Sequence, residues 1–438
     1  RKRREVLKQL RIFTPGGRTQ VGEECSLMGK RTKALRRFHT FFFLFFIFTM
    51  VAAIAAADSL PAGTILYVRL KTPVSTASSK VDQKVTTEVV RQVFAGGKVV
   101  VPIGAQLVGA IEKLHSSSDA SDPSLMVIHF TRLILPGEKP MALSCRLTKI
   151  ENARETVEKD GTIQGVPPNS LGSTYINNAV DKLSKQYPSL GNLLGGFEKK
   201  QIGTPDTAVS YAAGADMQVT LDKPLRVTKS FPPASAQVLP AQVAVAVIKV
   251  LVGAPQRSST ERGTPGDPIN LVVVGNGQQI RTTFAKAGWD IPAARKGNGI
   301  SKTVQSVIQG LGDSTAPISN LYLYKRPQEL AFEKVLNTFA MRHHVRFWKA
   351  PGQTVDGNPI WLGAAVHDTG YDIHPGVASH ATSPVLDNER AKVGADLLAT
   401  RLVSAEALVT PPHPLSSGYT GTGGAWHTDG KLLVIVLK

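Results

Sequence analysis

Five of the ten histidines fall within a short stretch of chain, as His343, His344, His367, His374 and His380. Arg342, Arg346, Trp348, Trp361 and Asp368 lie among them, and Asp387 and Glu389 follow. Imidazole and carboxylate together suit zinc or another divalent ion. The candidate ligands are His367, Asp368, His374 and His380. No His-Glu-x-x-His or comparable spacing occurs, so no cofactor is firmly implied and a divalent metal is an expectation only. Side chains alternate along strands, so a strand from His344 to Lys349 puts His344, Arg346 and Trp348 on one face. In a strand from Ile360 to His367, Trp361 and His367 stand opposite an apolar face of Ile360, Leu362, Ala364 and Val366. If Pro351 to Asn358 makes the two a hairpin, His344, Arg346, Trp348, Trp361 and His367 line one surface. That would be an aromatic floor with cationic groups, suited to an anionic or sugar-like ligand. No serine sits in a nucleophile elbow. A non-catalytic binding surface is the preferred reading, and a metal- or phosphate-dependent hydrolase using these histidines is the alternative.

The elements that must position these residues begin after a polar and Pro-rich stretch, 229–268, which reads as a linker. From 269 to 438 strands and helices mix. Asn270 to Val274 is a short apolar strand, turning at Gly275-Asn276-Gly277 into a helix that ends near Ala287. A helix N-terminus after a glycine turn can cradle phosphate, but without further glycines or a lysine a plain turn is favoured. A helix near Thr303 to Leu311 follows, then strands near Leu321, His344 and Ile360. A helix is expected from Pro384 to about Val403, capped by Ser383, with Val393, Leu397, Leu398 and Leu402 as its buried stripe. Gly418 to Gly424 reads as a flexible loop before a final strand, Leu432 to Leu437.

Arg281-Thr282-Thr283-Phe284, Gly288-Trp289, Leu321 through Gln328, Arg342 through Trp348, and Pro359 through Ala365 carry a family resemblance. Over about 265–410 the chain resembles the LssY C-terminal domain family. The resemblance implies an association with bacterial secretion and names no reaction.

Upstream, residues 58–228 are written in short alternating or β-branched runs broken at Gly96-Gly97, Pro102 to Gly104 and Pro136-Gly137. That spacing predicts an all-β barrel or sandwich, so the fold class is a β domain followed by a mixed α/β (α+β) domain. Leu60 to Thr64, Gly97 to Gly104, Ala213 to Asp216 and Leu221 to Leu225 are similar to the barrel of TrbI-type proteins of type IV secretion machines. Envelope or secretion proteins are the partners this implies. An insertion at 161–212 holds one amphipathic helix, Ser173 to Tyr187, suited to a surface rather than to lipid. The barrel is therefore expected to be a scaffold or interaction module rather than a channel.

Lys30, Arg31, Lys33, Arg36 and Arg37 precede a wholly apolar run, Phe41 to Ala57, broken only by Thr49. This is the order of an export signal, and Ala55-Ala56-Ala57 suits a peptidase. The apolar run also approaches the length of a membrane anchor, so 28–57 is read as a signal peptide or an uncleaved inner-membrane anchor. Either reading sends the rest of the chain to the periplasm or cell envelope. Residues 1–27 are polar and without apolar period, and Met28 is the expected start. The first 57 residues carry half of the formal net charge of +18. What remains is only mildly basic and lacks a Lys/Arg stripe interleaved with aromatics, so a nucleic-acid groove is not expected. Of the two cysteines, only Cys145 follows the export segment, which excludes a disulfide framework and a cysteine metal site.

Overall fold

The computed structural model describes residues 59–117, 122–165, 208–234, 236–292, 319–337, 341–374, 377–421 and 423–438. The expected export segment and the helices at 173–187 and 303–311 lie outside them. Among the described residues no helix is long and apolar enough to cross a membrane.

The N-terminal region is a nearly closed antiparallel barrel. Its main strands are β1 (Ile65–Leu70), β2 (Lys84–Val89), β3 (Gln106–His115), β4 (Leu125–Ile134), β5 (Cys145–Ile150), β6 (Thr162–Gln164) and β7 (Asp216–Leu221), paired in the order β5-β7-β1-β2-β3-β4-β6. Alternation sets what each strand buries. β1 turns Leu66, Val68 and Leu70 inward and β2 turns Val85, Thr87 and Val89 inward. The barrel is drawn closed where Leu143 N donates to Thr131 O at 2.9 Å and the buried Cys145 thiol donates to Phe130 O at 3.4 Å. Burial pushes that thiol up to about 12, so Cys145 behaves as a small buried apolar residue. β3 and β4 approach so closely at a bulge that a Cβ on Gly109 would lie 2.0 Å from His129 O, which only glycine permits.

The C-terminal region is a three-layer α/β/α arrangement. Its sheet runs β9 (Leu330–Val335), β10 (Met341–Val355), β11 (Asn358–His374), β8 (Leu271–Val274), β14 (Leu432–Leu437) and β13 (Val403–Val409), with β12 (Val377–Thr382) on the far end of β11. β8 and β14 are parallel, the other pairs antiparallel. Helix α1 (Ala241–Gly253) packs on β10, with Val243, Ala244, Val247, Val250 and Leu251 buried at helical spacing. It lies inside the stretch expected to be linker, whose apolar run thus belongs to this region. Helices α2 (Gly277–Lys286) and α3 (Leu386–Ala399) share the opposite core, in which Ile280, Phe284, Val393 and Leu397 meet Val273, Val345, Phe347 and Ile435.

The plain turn favoured before α2 holds, and two local expectations, the bounds of α3 and the Gly418 to Gly424 loop, are corrected. Asn276 caps α2 in a capping box, accepting from Gln279 N at 2.9 Å while the Gln279 side chain accepts from Asn276 N at 2.7 Å; the glycine turn is thereby spent on the helix start. α3 begins at Leu386 rather than Pro384, because Ser383 N is still donating to His367 O and Pro384 O accepts from His427 N. The helix also stops at Ala399, and Val403 opens a strand. The run Gly418 to Gly424 lies in a hairpin of Ser417–Tyr419 with Ala425–His427.

Candidate functional site

The hairpin expected between the histidine-bearing strands exists. Its turn is Asp356-Gly357, both with positive φ (48° and 77°), as a two-residue hairpin turn requires. The shared surface expected from it does not form. Between Lys349 and Thr354 the chain advances five residues on β10 against two on β11, an odd excess that exchanges the faces. His343 therefore stands opposite His367, whereas His344, Arg346 and Trp348 stand opposite Val366, Ala364 and Leu362. His344, Arg346 and Trp348 lie on the side away from His367 and Trp361, and all are buried.

On that first side charges are paired internally. Arg346 Nη1 donates to Asp267 at 2.8 Å, and Arg342 Nε donates to Asp368 at 3.0 Å and pairs with Glu333 at 3.4 Å. Trp348 is fully enclosed, and Trp361 donates to Gly275 O at 2.9 Å. No aromatic floor faces a ligand. The four-ligand metal set fails as well. His374 and His380 lie in the hairpin of β11 and β12, opposite Val377 and Tyr371. Seven residues of extended strand put His374 about 23 Å along from His367, far beyond a common ion. Asp368 is engaged by Arg342, and His367 alone of that set reaches the cluster described next.

That cluster lies where the barrel meets the α2/α3 side of the sheet. Arg69 on β1 donates through Nε to Asp216 Oδ1 at 2.7 Å and through Nη2 to Asp396 Oδ1 at 3.3 Å. Lys334 on β9 donates to Asp216 at 2.7 Å. Lys392 on α3 donates to Asp216 at 2.8 Å and to Asp396 at 2.7 Å, and it stands 3.8 Å from Glu151. Trp289 Nε1 also donates to Asp396, at 3.0 Å. Barrel and sheet residues thus alternate in sign around one buried point. Burial alone would raise the Asp216 and Asp396 carboxyls, but Lys392 and Lys334, joined by Arg69, hold both below the usual range. Burial lowers Lys334, whereas in Lys392 the attraction of Asp396 and Asp216 outweighs burial and raises it.

Beside the charges sit two stacked imidazoles, His343 and His367, with ring centroids 4.2 Å apart. His343 Nδ1 contacts Glu389 Oε2 at 2.7 Å, and its Nε2 faces Glu151 Oε2 at 3.7 Å. His367 Nε2 meets Asn152 Oδ1 at 2.8 Å. Against burial, the neighbouring carboxylates of Glu389 and Glu151 raise His343 to about 9. Burial, then the neighbouring His343 charge, lowers His367 to about 4, so the two rings hold opposite protonation states. Burial opposes ionisation of Glu151, but His343 and Lys392 win and bring it down to about 2. A cleft of about 480 Å³ opens here, lined by Glu151, Asn152, Gly214 and Asp216 of the barrel and by Gly288, Trp289, Asp290, Lys334 and His343 of the sheet region.

His343, Glu151, Lys334 and Lys392 were not singled out as site residues from sequence. One signal was present. Glu389, Lys392 and Asp396 recur at the same helical spacing as the apolar stripe of α3, which is where charged residues are buried only if paired.

No curated protein matches the chain. One solved structure, ComB10 of the Com type IV secretion system of Helicobacter pylori, is 14% identical with a TM-score of 0.23, covering 41% of this chain and 93% of its own. That likeness is too low to pass any role to the barrel. The family model described as LssY C-terminus matches residues 251–432. That span holds α2, α3, both stacked histidines and the sheet except most of β14, so the C-terminal α/β region is the part of the chain that is similar to this family.

Proposed function

We propose that this chain is a non-catalytic binding and assembly protein of the cell envelope, exported by its basic and apolar leader, which receives a partner or an anionic or sugar-like ligand in the cleft between barrel and C-terminal region. The observation that carries this reading is the cleft itself, walled from both regions and within the ~300–1,000 Å³ usual for ligand sites. Its charged walls favour binding over chemistry, since Asp216, Asp396, Lys334 and Lys392 are already engaged with one another.

The test joins turnover to capture. Purified chain is assayed on chromogenic phosphomonoesters and phosphodiesters with Mg²⁺, Mn²⁺ or Zn²⁺, and a photo-crosslinker is placed in living cells at Ala213, on the cleft wall, or at Val81, exposed on the barrel outside it. The expected result is no hydrolysis and a discrete adduct from position 213 but not 81. Metal-dependent hydrolysis abolished by Lys334→Met would replace this reading with the hydrolase.

A further inference from the structure

Two buried atoms beside the cleft are left without a hydrogen-bond partner among the described residues: Nε2 of His343, a residue 5% exposed, and Oε1 of Glu389, a residue 3% exposed. Glu151 Oε2, on the barrel side, is a third. Stranding one such group costs about 1–3 kcal/mol, and more when it is charged. His343 Nε2 and Glu151 Oε2 face each other at 3.7 Å as an ion pair, so of the three it is Glu389 Oε1 that is left with no pairing. Donor atoms of His343, His367 and Glu389 lie within 4.8 Å of one another. Tetrahedral zinc with bonds of about 2.0–2.2 Å needs its donors about 3.4 Å apart, a contraction within reach of side-chain rotation.

We propose that His343, His367 and Glu389 hold one divalent transition-metal ion, zinc by preference, on the Nδ1 side of His343, with Glu151 of the barrel as the outer partner of that ring at Nε2. Two imidazoles and a carboxylate exclude calcium and magnesium as natural occupants, since those take all-oxygen shells. The supports match this role. The three residues come from β10, β11 and α3, so no single loop has to order around the ion. Glu389 Oε2 contacts His343 Nδ1, leaving its Oε1 available, while Glu151 faces Nε2 on the other edge of the ring and orients it from the barrel side. Asn152, through its contact with His367 Nε2, orients the second ring from the barrel side, as outer partners of metal-binding histidines do. His343 and Glu151 both border the cleft, which supplies an entry path. The ion would fix the two rings that Asn152 and Glu151 of the barrel contact, whatever occupies the cleft, so the proposal does not rest on the binding function above.

The test uses the whole chain without a histidine tag. Metal content is measured by mass spectrometry as purified, and the chelator-treated protein is titrated with Zn²⁺ and with Co²⁺, whose ligand-field absorption reports tetrahedral nitrogen and oxygen donors. One equivalent of metal and a rise in thermal midpoint are expected. His367→Ala and Glu389→Gln are each expected to weaken binding by more than the ~100-fold that loss of an outer partner costs. His413→Ala, at an exposed position outside the cluster, should bind as the parent does. If His343→Ala does not fold, His367→Ala decides, because His367 is only partly buried and circular dichroism can establish that its variant is folded. Failure to bind an equivalent of either metal, or parental affinity in the folded His367→Ala and Glu389→Gln variants, would overturn the assignment.

Discussion

At the scale of single residues, the junction is ruled by what buried charge costs when its partner is lost. Asp216 receives Arg69, Lys334 and Lys392 at once, so Asp216→Ala leaves three buried cations to share Asp396. Breaking a buried pair in this way costs about 3–5 kcal/mol, and urea unfolding of Asp216→Ala is expected to show at least that loss. Lys392→Met should cost less, because Lys334 and Arg69 remain beside Asp216 and Asp396. The same carboxyls set a pH dependence. Their folded pKa values lie below the unfolded value of about 3.9, so their stabilisation is complete above that value and is lost as pH falls through it. The thermal midpoint should fall steeply below about pH 4. Asp216→Asn should start lower and fall less steeply on acidification, and an unchanged acid slope in that variant would remove the ionic junction as the cause.

At the scale of elements, the hairpin of β10 and β11 shows why face assignment escaped the sequence. Alternation within each strand was readable and correct: His344, Arg346 and Trp348 share a side, as do Trp361 and His367. Which side meets which depends on the register, and the three extra residues on β10 between Lys349 and Thr354 invert it. Had the register at the Asp356-Gly357 turn continued, Arg346 would have faced His367. The inverted register is held by packing at Gly363, opposite Phe347, where a Cβ would lie 2.5 Å from the Phe347 ring. Gly363→Ala is expected to cost about 1–3 kcal/mol by overpacking, read from chemical denaturation. The capping box of α2 is independent of this, and Asn276→Ala should cost about 1 kcal/mol.

At the scale of the whole molecule, Leu60–Lys438 forms one compact unit although sequence and family match divide it in two. Charged residues join the parts, Arg69, Glu151 and Asp216 from the barrel and Lys334, Lys392 and Asp396 from the C-terminal region, beside the Asn337 to Glu155 hydrogen bond and Leu336 packed on the barrel core. Neither region alone can neutralise its share. Calorimetry of the full chain should therefore show a single transition with agreeing calorimetric and van't Hoff enthalpies, while 241–438 expressed alone should melt lower by far more than its length explains. Two resolved transitions in the full chain would mean that the junction is only a contact.

The barrel strands were legible because period-two alternation is local, and so were α2, the core stripe of α3 and the hairpin beneath the histidines, each written in a few adjacent residues. The expectation of a histidine-centred site was also present, in the density of His343 to His380. What the residues alone could not determine was the site's membership. Glu151 and Asp216 are separated by more than a hundred positions from His343 and Lys392, and only closure of the barrel against α3 brings them within 4 Å. Strand periodicity is a property of neighbours in sequence; a buried ionic and imidazole cluster is a property of neighbours in space, and here it is tertiary packing of the barrel on the sheet that makes it.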